Sequence, residues 1–290
     1  PEVKTAGQAF YNALIWGAPA TLLNYVLIGW YLGRSQSGKV LLLSAVVNVS
    51  NVGLDYLFIV HLGWESTGAG AATALSQMLM AGVGLSLASR EIGMTQLKEV
   101  RAQIFNVEAL KASGALNGEL AVRTFVLIST FAAFTNISSI LGTTVLSSNT
   151  VLLQVIALAS YFIDGLAFAT ESLVGLLSVQ GKTERLKQLL CVAGTSSLLL
   201  GVSFSLAFMV APLTFFQLLT NHREILDHIR EYTPWLLPVL GFGSVAYFLD
   251  GYFIGLTAGR LLKGSTITAA MLGFAPMAIA AWYFRSVHLL

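Results

Sequence analysis

The chain has 290 residues and a formal net charge of +2, and 56% of its residues are apolar while only 10% are charged. Soluble domains carry about 25% charged residues, so this chain cannot cover a water-exposed surface, and a lipid bilayer is its expected solvent. The small net charge gives no reason to expect nucleic acid as a partner. The single cysteine, Cys191, excludes an internal disulfide and is expected to be a small buried apolar side chain.

Eight apolar stretches long enough to cross a bilayer as helices follow one another along the chain. An all-α integral membrane protein is therefore predicted. The longest polar interruption divides the chain into residues 1–90 with three spans, a linker at 91–118, and residues 119–290 with five spans. The predicted spans are 10–32, 41–61, 68–89, 122–142, 148–178, 188–211, 231–256 and 265–284.

Lysine and arginine residues predict the orientation, because they accumulate in cytoplasmic loops. Alternate loops hold twelve of them on one side and four on the other, so loops 32–41, 90–119, 180–188 and 257–264 are predicted to be cytoplasmic. The four on the opposite side are Lys4, Arg223, Arg230 and Arg285. The twelve are Arg34, Lys39, Arg90, Lys98, Arg101, Lys111, Arg123, Lys182, Arg185, Lys187, Arg260 and Lys263.

The first and seventh spans end in similar sequences, GWYLGRSQSGK at 29–39 and GYFIGLTAGR at 251–260. The two spans are six positions apart in the order of spans, so they run the same way through the membrane, as in two bundles related by a parallel repeat. The glycines are spaced four apart in Gly29/Gly33 and in Gly251/Gly255/Gly259, a spacing that predicts close helix packing.

The stretch GRSQSGKV at 33–40 has the glycine and lysine spacing of a phosphate-binding loop. That loop needs Ser or Thr after the lysine, where this chain has Val40, and it follows a buried strand rather than a membrane-length helix. A tight cytoplasmic turn with a basic anchor is predicted instead, and the protein is not expected to be an enzyme.

Four acidic side chains fall inside the predicted spans, where an Asp at mid-helix costs at least about 2.5 kcal/mol, so they are candidate functional residues. Asp250 lies about 15 Å along the helix from Arg260, which predicts a position near the midplane. Asp164 and Glu171 are two helical turns apart and share a face. Asp55 is expected near the outer surface.

Each acid also has a structural alternative. Asp55 can reach outward to water or bond to Asn48 and Asn51, and Asp164 and Glu171 can bond to polar neighbours within the bundle. Functionally, burial disfavours the charged form of a carboxylate, which can then take up a proton, or bind Na⁺ where further oxygens complete the shell. A carboxylate that exchanges a small cation for a larger cationic solute is the physical basis of antiport.

Five segments together resemble the MATE family of multidrug and toxin extrusion transporters, in particular its DinF branch. These are APATLLNYVLIGWYLGRSQ at 18–36, NVSNVGLDYLFIVHLGWESTGAGAATALSQ at 48–77, LNGELAVRTFVLI at 116–128, LLQVIALASYFIDGLAFATESLVG at 152–175 and LDGYFIG at 249–255. The resemblance implies two lobes of six helices related by a parallel repeat. The eight spans would be helices four to eleven of twelve, in a fragment without the first three helices and the last.

The resemblance also implies site residues. Asn51, Asp55 and Thr73 match three positions of the family's N-lobe cation site, whose fourth member, an Asp, would precede Pro1. Asp250 matches an Asp of the C-lobe cation site. In some members of the family an acid on the seventh helix lies beside that Asp; it is not evident in this sequence, and Asn136 is the nearest polar candidate for its place. In the DinF branch, Asp164 and Glu171 would line the cavity.

The leading hypothesis is an efflux antiporter for small cationic or amphipathic compounds, coupled to H⁺ or alternatively to Na⁺, with Asp55 and Asp250 as the candidate Na⁺ sites. The alternatives are a flippase for lipid-linked or amphipathic substrates and, more distantly, an intramembrane enzyme. No cofactor beyond the coupling ion is expected, the lipid bilayer is the expected partner, and a monomer in the inner membrane is predicted.

Overall fold

A computed structural model describes residues 2–92, 106–219 and 223–286, and these residues form helices joined by short turns. Within them, eight helical stretches are long and apolar enough to cross a membrane, which confirms the predicted number of spans. The stretches are Lys4–Gly33, Ser37–His61, Glu65–Glu91, Val107–Leu141, Thr143–Val179, Thr183–Val210, Ile229–Gly255 and Gly259–Phe284.

The chain divides into two compact units, Pro1–Asn106 and Val107–Leu290. In the first unit, α4 packs against α1, α2 and α3 and forms the centre. The elements described in this unit are α1 (Glu2–Leu14), a 3₁₀ turn (Ile15–Gly17), α2 (Ala18–Gly33), α3 (Ser37–Asp55), a π-helical turn (Tyr56–His61) and α4 (Glu65–Glu91).

In the second unit, α10 packs against α6 and α7, and α11 packs against α5. Its described elements are α5 (Val107–Leu141), α6 (Thr143–Val179), α7 (Thr183–Val210), α8 (Pro212–Phe216), α9 (Arg223–Tyr232), a 3₁₀ turn (Thr233–Trp235), α10 (Leu236–Gly255), α11 (Gly259–Thr268), a π-helical turn (Ala269–Phe274) and α12 (Ala275–Phe284). Residues 93–105 of the predicted linker lie outside the described ranges, and residues 107–118 form the beginning of α5.

Small side chains fill many of the helix contacts, while many large apolar ones face outward. The buried residues of α4 are mostly Gly, Ala and Ser, and a Cβ added to Gly17 would lie 2.6 Å from the Cα atom of Ala74. By contrast, Tyr25, Phe125 and Leu199 are 68%, 72% and 70% exposed. This arrangement suits lipid as the solvent, because lipid provides no hydrophobic force between helices and small residues let the backbones approach closely.

Cys191 is exposed on α7, contrary to the sequence expectation. The buried face of this helix is the stripe of Ala193, Ser197, Gly201 and Ser205, spaced four residues apart. Cys191 precedes Ala193 by two residues and therefore points away from that stripe.

The two repeated sequences form the same backbone turn. Ser35 and Thr257 both have left-handed backbones, with φ values of 57° and 56°. The N–H of Ser35 donates to the carbonyl of Leu32, and that of Thr257 donates to the carbonyl of Ile254. The N–H groups of the following residues donate to carbonyls five residues back. This is the Schellman pattern of a helix C-terminus, so the predicted tight turn is confirmed in both copies.

Basic residues at both turns form ion pairs within their units, as a basic anchor requires. Arg34 lies 3.3 Å from a Glu91 carboxylate oxygen, and Lys39 pairs with the same carboxylate. In the second unit, Arg260 lies 3.2 Å from Glu119. GRSQSGKV therefore joins two helices, and the spacing it shares with a phosphate-binding loop is coincidental.

The predicted packing of the glycines holds for one copy only. A Cβ added to Gly255 would lie 2.6 Å from the Glu171 carbonyl oxygen, and one added to Gly259 would lie 2.6 Å from a Glu119 carboxylate oxygen. For Gly29 and Gly33, no atom of the described residues outside the adjoining helix backbone lies within 4 Å of the added Cβ, so no described helix packs there as predicted. Glycines spaced four apart leave room for a second helix to approach closely, but the spacing alone does not place a helix against that face.

Candidate functional site

The first unit brings together two of its three predicted site residues. The side-chain amide of Asn51 on α3 donates to the hydroxyl of Thr73 on α4 over 3.5 Å, and that hydroxyl donates to the Ala69 carbonyl at 2.9 Å. Asp55 lies one turn after Asn51, at the C-terminal end of α3, and its Oδ1 is buried without a hydrogen-bond partner. All three predicted residues are half-buried.

The structure does not show the bonds to Asn48 and Asn51 that the structural alternative proposed for Asp55. The Asn48 amide donates to the Ser44 carbonyl at 2.8 Å, and the Asn51 amide turns to Thr73. Neither amide therefore satisfies the buried Asp55 oxygen. Carboxylate, amide and hydroxyl oxygens are the ligands that hard cations prefer, so Asn51, Asp55 and Thr73 could contribute to a cation site.

The second unit brings its three predicted acids together. Asp250 on α10 interacts electrostatically with both Asp164 and Glu171 on α6. The glycines set this register, because Gly251 lies against the Ala167 backbone and Gly255 against the Glu171 carbonyl. Asp250 is therefore level with the part of α6 between Asp164 and Glu171. We refer to Asp164, Glu171 and Asp250 as the acidic cluster.

Arg123 on α5 completes this site and was not anticipated from the sequence. Its guanidinium donates to an Asp250 carboxylate oxygen, and the two side chains are only 18% and 23% exposed. The orientation count assigns Arg123 to the cytoplasmic loops, although it is the second residue of the predicted fourth span, 122–142. Instead, α5 begins at Val107 and carries Arg123 within its length. The apolar residues on both sides of Arg123 are the sequence signal that could have revealed this.

Tyr247 is a second residue that sequence reasoning missed. It lies on α10 three residues before Asp250, near Ser160 on α6, and interacts electrostatically with Asp164, Asp250 and Arg123. It therefore adds a hydroxyl group to the part of the acidic cluster between α10 and α6.

Asn136, predicted as the polar partner of Asp250, does not join the acidic cluster. It is exposed, and its amide donates to the Ala132 carbonyl of its own helix at 2.9 Å. It lies thirteen residues beyond Arg123 on α5, which corresponds to about 20 Å along the helix. The position beside Asp250 is taken by Arg123 instead.

The length of helix beyond Asp250 differs from the sequence expectation. The helix α10 ends at Gly255, five residues after Asp250, so Asp250 lies about 7.5 Å along the axis from the C-terminal end of its helix. The prediction counted residues to Arg260 as though the helix continued, whereas the Schellman turn ends it first.

The charges of the site favour cations. With all groups ionised, the acidic cluster carries three negative charges and Arg123, paired with Asp250, carries one positive charge, which leaves two negative charges among half-buried side chains. Among the described residues, no group of three or more His, Cys, Asp or Glu side chains has the arrangement of a metal site. The chemistry available is the binding and exchange of protons or of weakly held cations.

Comparison with curated proteins identifies relatives that match almost the whole chain. Identity is 28% to DNA damage-inducible protein F of Escherichia coli (strain K12), over 89% of this chain and 56% of that protein. It is 24% to Protein DETOXIFICATION 44, chloroplastic, of Arabidopsis thaliana, over 96% and 52%. It is 26% to Probable multidrug resistance protein NorM of Pasteurella multocida (strain Pm70), over 93% and 58%. The chain thus spans about half the length of these relatives.

A solved structure shares the fold. The crystal structure of MATE in complex with MaD3S matches with a TM-score of 0.75 at 18% identity, over 95% of this chain and 61% of that chain. This match confirms the predicted MATE-like all-α membrane fold, and the first curated relative confirms the resemblance to the DinF branch. The MatE family model matches residues 120–279, more than half of the sequence, and the chain therefore belongs to the MatE family.

Proposed function

We propose that the protein is a secondary active antiporter that exports organic cations or amphipathic compounds in exchange for H⁺ or Na⁺. The observation that carries the proposal is the acidic cluster, in which α6 and α10 bring three carboxylates together within membrane-spanning helices. Acids inside membrane spans are costly and typically mark ion or substrate pathways.

The exchange would follow from competition for the carboxylates. A proton or Na⁺ that binds the acidic cluster reduces its negative charge and weakens its attraction for an organic cation. Loss of the small cation restores that attraction. If the carboxylates face one side of the membrane at a time, as in transporters built from repeats, the ion gradient drives export of the organic cation.

The first unit supports a second ion-binding position. Asn51, Thr73 and the unpartnered oxygen of Asp55 offer oxygen ligands, which suit either a proton on Asp55 or a Na⁺ ion. We favour H⁺ as the coupling ion, because three carboxylates and a tyrosine within one site give several groups that can carry a proton.

Relatives of this chain support the substrate class. One of them is named as a probable multidrug resistance protein, and the chain covers 58% of its length. Transport is therefore proposed for the whole protein, as a monomer in the inner membrane. The loops 32–41, 90–119, 180–188 and 257–264 would be cytoplasmic, in keeping with their lysine and arginine content.

Transport by proteoliposomes tests the proposal. The intact protein is reconstituted, and movement of tetraphenylphosphonium is followed under an imposed proton gradient without Na⁺, and then under a Na⁺ gradient with the proton gradient clamped. We expect movement against the cation's own gradient with the proton gradient, and none when both gradients are collapsed.

Two results would contradict the proposal. The first is transport that requires ATP while both ion gradients are clamped. The second is translocation of labelled lipid without any movement of the cation, which would favour the flippase alternative. Loss of coupled transport in both Asp55→Asn and Asp250→Asn, with normal amounts of folded protein, would link the ion movement to the two acidic positions.

A further inference from the structure

Arg123 is the positively charged group closest to the acidic cluster, and its position is unusual for an arginine. It lies within a membrane-spanning stretch of α5, and its guanidinium pairs with Asp250. Arginine inside a span is costly, so its presence there calls for a partner and marks a functional position.

The contacts of Arg123 differ from those of a fully satisfied structural ion pair. Its Nε is buried and has no hydrogen-bond acceptor among the described residues, although all guanidinium N–H groups are donors. The two paired side chains also keep 18% and 23% of their surface exposed, so the pair is not sealed from small solutes. A guanidinium with one unsatisfied donor and an accessible partner can leave that partner at a moderate cost.

Neighbouring groups make such a displacement electrostatically reasonable. Asp164 and Glu171 both interact electrostatically with Asp250, so a cation that takes the place of Arg123 at Asp250 is also attracted by the charges of these two neighbours. The displaced guanidinium stays tethered to α5, close to Asp250. Tyr247 lies near Ser160 on α6.

We propose that Arg123 is a resident counter-cation of Asp250, which the entering cation, a proton or an organic cation, must displace. The proposal rests on the proposed antiport function and adds a competing group within the protein itself. Arg123 would keep the Asp250 carboxylate occupied when no other cation is bound. It is a positioning residue, since it acts through Asp250 rather than on the exported compound.

Chemical labelling of Asp250 in the intact protein tests this assignment. Dicyclohexylcarbodiimide modifies carboxyl groups in their protonated form, so labelling at Asp250 reports that a proton has replaced the guanidinium. Peptide mass spectrometry then compares wild type with Arg123→Gln, which removes the charge, and with Arg123→Lys, which keeps it. We expect labelling of Asp250 to rise several-fold in Arg123→Gln and to stay near the wild-type level in Arg123→Lys.

Arg260→Gln is the matched control. It removes one positive charge from the same unit, but Arg260 is 90% exposed and pairs with Glu119 rather than with the acidic cluster. Labelling of Asp250 should be unchanged in this variant. Because Arg123→Gln leaves Asp250 without its partner, size-exclusion chromatography must show that the variant is folded. If Arg123→Gln is not folded, the double variant Arg123→Gln/Asp164→Asn, which also removes one neighbouring negative charge, replaces it. Its labelling is then compared with that of wild type and of Arg123→Lys.

Binding of tetraphenylphosphonium gives the second measurement. The affinity of the protein for tetraphenylphosphonium should rise about tenfold in Arg123→Gln, because the competing guanidinium is gone. A tenfold change is a typical size for coupling between two binding events. Equal Asp250 labelling in wild type and Arg123→Gln would overturn the assignment, as would raised labelling together with weaker cation binding. Failure of transport under both ion gradients, with labelling as expected, would instead reject the proposed function and leave the counter-cation supported.

Discussion

The two units use the same turn in different surroundings. Both copies end a helix with a Schellman turn at a left-handed residue, Ser35 in one and Thr257 in the other, and both carry a basic residue that pairs with a glutamate. The surfaces of the preceding helices have diverged. Asp250 precedes Gly251 in the second unit, whereas Ile28 precedes Gly29 in the first. The repeat thus preserves backbone geometry, while the charged site belongs to one copy.

The units also differ in how they accommodate an acid. In the first, Asp55 lies at a helix end, with one buried oxygen unpartnered and polar neighbours nearby. In the second, Asp250 has an arginine as its partner and two further acids beside it. Removal of the acid should therefore have different consequences for stability in the two units, even if both acids take part in transport.

The largest expected effect is that of Asp250→Asn in the intact protein. Coupled transport should be lost, and the free energy of unfolding should fall by about 3 kcal/mol, because Arg123 is left largely buried without its charge partner. Asp55→Asn should lower the stability by less than about 1 kcal/mol, since no charged partner is stranded. Proteoliposome transport and denaturant unfolding of both variants provide the measurements.

This comparison has a built-in control. In Arg123→Gln/Asp250→Asn neither charge remains, so much of the stability lost in Asp250→Asn should return while transport stays absent. Equal destabilisation by Asp55→Asn and Asp250→Asn would mean that the ion pair does not distinguish the two units.

Much of the fold follows from the sequence, because a bilayer fixes the length and polarity of each span. Eight spans and the tight turns are predictable from apolar length and from the pattern of glycine and basic residues. The beginning of α5 is not predictable in this way, because its first turns are helical although their residues are polar. With its span predicted to begin only at residue 122, Arg123 fell at the span's edge and was counted with the loop residues, which concealed the counter-charge of Asp250.

The acids themselves are predictable, because their cost inside a span makes them conspicuous. Their partners depend on which helix faces which, and single-sequence patterns do not encode that directly. Asn136 has suitable chemistry but lies on an exposed face of α5, whereas Arg123 lies where its long side chain reaches Asp250 on α10. The same lack of information explains why Gly29 and Gly33 were expected to be packed.

The glycines allow a direct comparison of the two copies. In Gly251→Ala the added Cβ would lie 2.8 Å from the Ala167 carbonyl carbon, so α6 and α10 must separate. We expect a loss of about 1–3 kcal/mol, as for other overpacked sites, and a decrease in transport because the acidic cluster loses its register. Gly29→Ala meets no atom within 4 Å and should raise stability by about 0.5–1 kcal/mol through helix propensity. Unfolding curves of the two variants should therefore shift in opposite directions. A similar loss in both would show that Gly29 has a packing partner.

The smallest effect is expected at the left-handed residues of the two turns. A β-branched side chain is poorly accommodated at positive φ, so Thr257→Gly should relieve more strain than Ser35→Gly. Both side chains are exposed, and little packing is lost in either variant. Because glycine also gains entropy in the unfolded chain, the net stabilisation should be only about 0.5–1 kcal/mol for Thr257→Gly and close to zero for Ser35→Gly.

Thermal unfolding midpoints measure the difference, with Thr257→Ala as the control that removes the branch but keeps a Cβ. If Thr257→Ala stabilised as much as Thr257→Gly, branching rather than the left-handed backbone would be the source of the strain. The two turns would then differ in side-chain crowding alone, on the same backbone.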